Sequence, residues 1–142
     1  VTPAASAITP TAMAALVQPA YTRIAVGLPA SVPVGRYTQG VLEAAHLWAA
    51  IEPKMVGATT VRQALDYVAR AEVDAGFVYA TDAALMPEKV KVALTVSTRK
   101  PILYPAAPLA GAPNMALAVR FVDFLGTPPA QAVLARHGFG KP

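Results

Sequence analysis

The 142-residue chain contains no cysteine, which excludes disulfides, thiolate chemistry and cysteine-ligated metals. Histidine is nearly as scarce. His46 and His137 stand far apart, neither beside a cluster of carboxylates, so the sequence offers no zinc site. Charge is sparse as well, at 14% of residues, and the net +4 comes from twelve scattered Lys and Arg residues. No basic run interleaves with aromatics, which argues against nucleic acid as a partner. Every apolar stretch is interrupted by Pro, Arg, Glu or Asp before it reaches the length of a membrane span. The start, Val1-Thr2-Pro3-Ala4-Ala5, has no basic region followed by an apolar block and does not read as a signal peptide. Neither a Gly-x-Ser-x-Gly elbow nor a phosphate-binding P-loop occurs, and no nucleophile stands beside a base. The expectation is a protein that is not an enzyme.

What the chain does have is apolar residues, 55% of the total, enough for a sizeable core at a length that fits one domain. Thr9 to Val17 has the pattern of a short helix with Pro10 near its first turn. Arg23-Ile24-Ala25-Val26-Gly27 is a β-branched run closed by Gly-Leu-Pro, hence a buried strand. From Val34 to Ala50, Tyr37, Val41, Ala44, Ala45 and Trp48 keep helical spacing. A strand is expected at Lys54–Gly57, and a helix from Val61 to Ala71 with Thr59 or Thr60 as its N-cap. Further strands are expected at Ala75–Tyr79 and Val90–Val96. The alternation of strands and helices predicts a parallel sheet covered by helices. Ile102 to Pro108 reads as an extended edge or crossing segment broken by prolines. Two helices close the chain, Asn114–Leu125 with Met115, Ala118, Val119 and Val122 on one face, and Pro129–Arg136 ended by His137-Gly138-Phe139.

Three places offer polar groups without a charged side chain at their centre. Ser31–Tyr37 is a loop turning into a helix, where Pro33 pre-sets the backbone and the amides of Val34, Gly35 and Arg36 are expected to point forward. Gly35 is expected to let a ligand approach the main chain. Thr59–Arg62 is a second helix start, and Tyr79 ends a strand at the edge where ligands of open α/β folds collect. Two helix N-termini and a phenol suit an oxyanion held by dipoles. Taken singly, each has a plainer reading: an ordinary strand-to-helix connection, a capped helix, and a core tyrosine. Asp82 is expected to cap the turn after Tyr79 rather than to accept a proton. His46 is expected mid-helix and partly buried, and His137 at a helix end that suits a cation.

These segments resemble a known family. Arg23–Gly27 followed by Val32-Pro33-Val34-Gly35-Arg36-Tyr37 is similar to the second-lobe opening of periplasmic molybdate-binding proteins of ABC transporters. So are Val61–Leu65, Ala75–Ala83, Ile102–Ala106, and the ending Phe124-Leu125-Gly126, Ala130-Gln131, His137-Gly138-Phe139, in the family's order from about Arg23 to Phe139. The resemblance implies an α/β three-layer sandwich of the type II periplasmic binding class, here partial. Residues 1–110 would form the second lobe including the crossing strand, and residues 111–142 the C-terminal helices that belong with the first lobe.

It also implies periplasmic capture of molybdate or tungstate for an ABC permease. The oxyanion would be held by the amides of Val34 and Val61 and the phenol of Tyr79. Molybdenum would be bound only as molybdate, with no metal coordinated by the protein and no cofactor. The family more often carries Ala where Val34 stands, a change an amide contact survives. Its first strand and its two serine-bearing loops have no counterpart here, so partners would include the missing N-terminal lobe or a second copy of the chain. Two alternatives stay open: a receptor for another oxyanion such as sulfate or phosphate, and the effector-sensing domain of a transcription regulator.

Overall fold

The structure, a computed structural model, describes residues 1–98 and 100–140. It divides into two compact units, Val1–Arg99 and Lys100–Pro142. In the first, a three-stranded parallel sheet is built around β2 (Ile24–Gly27), with β3 (Met55–Ala58) on one side and β4 (Ala75–Gly76) on the other. A two-stranded antiparallel ladder joins β1 (Thr2–Pro3) to β5 (Val90–Lys91). Val1 exchanges hydrogen bonds with Gly76 in both directions, at 2.8 and 2.9 Å, and so ties that ladder to the edge of β4.

The alternation of side chains along β2 splits the core into two layers. Ile24 and Val26 face one side, packed with Leu16, Tyr21, Leu42 and Ile51. Leu42 comes from α1 (Pro33–Ala44) and Ile51 from α2 (Trp48–Ile51). Ala25 faces the other side, packed with Ala58, Val73, Val90 and the Ala64, Leu65 and Val68 stripe of α3 (Val61–Ala69). Helices on both faces of a parallel sheet give the three-layer α/β arrangement expected from the sequence. At the amino edge of the sheet, one oxygen of Asp74 accepts from the amides of Thr22 and Arg23 and from the Thr22 hydroxyl, at 2.7, 2.9 and 3.0 Å. Burial pushes its carboxyl up, but these bonds and the Arg23 charge outweigh that, and the net shift is downward.

Several elements are shorter than expected. The helix projected from Val34 to Ala50 stops at Ala44, because His46 enters the left-handed region at φ 57° and the Leu47 amide bonds back to the Leu42 carbonyl at 2.8 Å. His46 is therefore an exposed turn residue and not a mid-helix one. Ala71, at φ 55°, ends α3 in the same way, with the Glu72 amide on the Tyr67 carbonyl at 2.9 Å. The strand expected over Val90–Val96 pairs only at Val90 and Lys91, since β1 offers it two residues. No strand forms over Ile102–Pro108 in the described residues, where Pro101, Pro105 and Pro108 lack ladder donors. The helix expected from Thr9 is a short 3₁₀ turn over Met13–Val17. Its last carbonyls, Leu16, Val17 and Gln18, accept from the Lys54 ammonium at 3.1, 2.7 and 3.0 Å.

The second unit holds α5 (Met115–Leu125) and α6 (Pro128–Arg136), with α4 (Ala80–Ala83) belonging to the first. Met115, Ala118 and Val122 are half-buried as expected, whereas Val119 is exposed. No residue of α5 is fully buried. Gly138, at φ 83°, closes α6, and Phe139 stacks edge-on against Tyr104 with ring centres 5.5 Å apart.

Candidate functional site

Because β2, β3 and β4 run parallel, the connections that follow them all open on one edge of the sheet. Those connections carry Val34, Val61 and Tyr79. Two of them are fastened together, since the Leu28 amide after β2 donates to the Ala58 carbonyl that ends β3, at 2.8 Å. The third is tied to the central strand by the Phe77 amide on the Ala25 carbonyl at 3.0 Å.

At the start of α1 the arithmetic of main-chain donors singles out Val34. Pro33 occupies the first helical position and has no N–H. The amides of Gly35 and Arg36 fold back onto the Val32 carbonyl at 3.0 and 3.3 Å. Val34 is left as the one N–H of this turn with no protein acceptor among the described residues. The expectation that Gly35 and Arg36 also point forward is thus corrected: a tight first turn consumes them. Gly35 also differs from its expected role. A Cβ there would lie 2.0 Å from the Gly27 carbonyl oxygen, so its bare Cα accommodates the protein's own strand.

The start of α3 is built by reciprocal capping. Thr60 is the N-cap, and its hydroxyl accepts from the Gln63 amide at 3.0 Å. Gln63 reaches back, its side-chain oxygen accepting from the Thr59 amide and hydroxyl at 2.7 and 2.9 Å. This reciprocal capping satisfies the Thr59 and Gln63 amides and leaves those of Thr60, Val61 and Arg62 without protein acceptors among the described residues. The Arg62 amide went unnoticed in the sequence, although the Thr60-Val61-Arg62-Gln63 pattern is the signal that locates it.

Tyr79 lies half-buried at the end of the extended segment after β4, and its carbonyl accepts from the amides of Asp82 and Ala83 at 3.1 Å. Asp82 occupies the first turn of α4. Burial pushes its carboxyl up, and the Arg62 charge partly opposes this. Arg36 and Arg62 themselves are exposed. No group of three or more His, Asp or Glu able to hold a metal occurs among the described residues. The unengaged donors at this edge are therefore main-chain amides, backed by a phenol and flanked by solvated guanidiniums. Such a set suits a compact anion that needs many hydrogen bonds.

Comparisons with known proteins place the chain among solute-binding proteins. The chain is 37% identical over 119 residues to a putative ABC transporter substrate-binding lipoprotein, YvgL, of Bacillus subtilis (strain 168), covering 82% of this chain and 45% of that protein. It is 38% identical over 119 residues to the molybdate-binding protein ModA of Escherichia coli (strain K12), covering 82% of this chain and 46% of that protein. The chain thus spans about half the length of the curated relatives it matches. Among solved structures it superposes on the substrate-binding domain of a putative molybdenum ABC transporter from Clostridium difficile. That match has a TM-score of 0.83 and 31% identity, and covers 99% of this chain and 61% of the other. The periplasmic molybdate-binding protein of Azotobacter vinelandii shares the fold at a TM-score of 0.62 and 22% identity, over 89% of this chain and 57% of its own. The sequence profile described as bacterial extracellular solute-binding protein matches residues 1–140, and the chain belongs to that family.

Proposed function

We propose that this chain supplies the second-lobe half of a receptor that captures molybdate or tungstate in the periplasm and passes it to an ABC permease. One observation carries the reading: the unengaged amides of Val34 and Val61 follow adjacent parallel strands and open on the same sheet edge as Tyr79. The relatives named as molybdate-binding support the identity of the ligand. On this reading Val34, Val61 and Tyr79 hold the oxyanion, Arg62 adds a fourth donor through its amide, and the protein does no catalysis and needs no cofactor.

A dianion leaving water loses strong hydration, and the site must replace each lost hydrogen bond. Amides fixed in helix starts do so with little reorganisation. Neutral donors also allow release, because a buried ion pair would be harder to open when the cargo is handed over. Sulfate has the same charge and shape as molybdate, so cavity size discriminates between them. A protonated phosphate presents a hydrogen to donors that cannot accept it. Closure of two lobes around the ligand would turn occupancy into a shape that the permease reads.

The division into residues 1–110 and 111–142 belongs to the same proposal, with the C-terminal helices packing in the first lobe of the complete fold. The exposure of Leu117, Phe121 and Phe124, at 60%, 60% and 50%, supports a further covering partner for α5. Self-association of the chain is the competing way to cover it. Competition calorimetry on the protein expressed from its complete gene tests the function. Molybdate and tungstate should each displace the other, and sulfate should compete only on the order of a hundredfold more weakly. Equal binding of sulfate or phosphate, or no binding of any oxyanion, would contradict the proposal.

A further inference from the structure

The geometry points to Gly35 as a positioning residue for the Val34 donor, an inference that rests on the oxyanion reading above. A Cβ on Gly35 would lie 2.0 Å from the Gly27 carbonyl oxygen, 2.6 Å from the Gly27 carbonyl carbon and 3.0 Å from that of Leu28. These obstacles are main chain and cannot rotate away. Gly27 is itself bare on the side that meets α1, where a Cβ would fall 2.8 Å from one Val32 methyl and 3.0 Å from one of Val34. Two glycines therefore bring the first turn of α1 into backbone contact with the end of the central strand. The next residue of that strand's exit, Leu28, is bonded to the end of β3. The Val34 N–H is thereby indexed to the sheet edge and to the start of α3. A side chain at position 35 would have to withdraw α1 by more than an ångström to reach the 3.4 Å at which ordinary contact begins. The helix would survive, but its donor would no longer converge with that of Val61.

The control lies one and a half turns along the same helix. Gly40 has open space around it, so Gly40→Ala should strengthen α1 without moving it. Using protein expressed from its complete gene, we would compare Gly35→Ala, Gly40→Ala and the double variant by calorimetry with molybdate, thermal melting and crystallography. Gly40→Ala should melt higher and bind as the parent does. The double variant should recover melting temperature but bind molybdate at least about tenfold more weakly, as expected of a donor misplaced by an ångström. Its crystal structure should show the start of α1 moved away from Gly27. Parental affinity with α1 in its original place would overturn the inference. If the double variant does not fold, Gly27→Ala presses on α1 through the softer Val32 and Val34 side chains, and its crystal structure and affinity are read together. Affinity should fall only if the start of α1 moves; parental affinity with α1 moved, or weakened affinity with α1 in place, overturns the inference. Should the parent bind no molybdate, the oxyanion reading falls, and the position of α1 in the double variant alone then decides the positioning role.

Discussion

Replacing Arg62 by Gln separates two accounts of how an anion is held at this edge. In one, the Arg62 guanidinium neutralises the ligand; in the other, only its main-chain amide takes part. The side chain is exposed, so its attraction to a dianion passes largely through water. At a separation of about 8 Å, one Debye length in physiological salt, a unit charge and a dianion attract by roughly 1 kcal/mol in water, and screening reduces this to about 0.4 kcal/mol. Arg62→Gln keeps the amide, the helix start and the Thr60–Gln63 capping box. Molybdate affinity measured by calorimetry should therefore fall only about twofold, and its dependence on salt should flatten. The loss should shrink further at high salt. A loss of a hundredfold or more, persisting at high salt, would mean that the guanidinium is a direct ligand and would refute the dipole account.

Three further substitutions probe other links. Tyr79→Phe removes one charge-assisted bond and should weaken molybdate binding by about 1.5–3 kcal/mol; unaltered affinity in calorimetry would contradict the role of the phenol. Asp74→Asn should destabilise the fold by about 1 kcal/mol at neutral pH, a cap-sized figure that already allows for solvent screening at this partly exposed carboxylate. Since the folded carboxyl is held below its ordinary value, its contribution is present above the unfolded pKa of about 3.9 and is lost as pH falls through the folded value. The two melting curves should accordingly converge on acidification below about pH 4, and a gap that widens there would refute the assignment. Ala71→Gly relieves a left-handed residue and should raise stability by about 0.5–1 kcal/mol in urea unfolding, where a lowered midpoint would argue against the φ of 55°.

The order of elements and the paired helix starts were legible because their causes are local. β-branched runs closed by Gly-Leu-Pro, helical spacing in Val61–Val68 and the Thr60 cap each act within a few residues. The end of α1 was not legible, whereas that of α3 fell within two residues of the Ala71 expected. Both terminate through left-handed residues, His46 and Ala71, where the usual signal would be a glycine. By contrast α6 ends at Arg136, is closed by Gly138, and was placed at that end from the sequence. The β1–β5 ladder escaped notice because a two-residue strand has no periodicity to read. At the site, the two helix starts could be located from the sequence, whereas Tyr79 lies three residues beyond the end of β4, and the choice of Val34, Val61 and Tyr79 as an oxyanion's ligands came from the family resemblance. Which amides stay unengaged depends on whether the first turn tightens onto Val32 and how Gln63 folds back, details of geometry within four residues that the residue types alone leave open.

The most direct measurement is a crystal structure of the molybdate-loaded protein, expressed from its complete gene, with the molybdenum located by anomalous scattering. The account predicts one oxyanion whose oxygens accept from the Val34 and Val61 amides and the Tyr79 hydroxyl, at hydrogen-bond distances of about 2.7–3.2 Å. An anion found on the Arg or Lys side chains instead, away from those two helix starts, would contradict it.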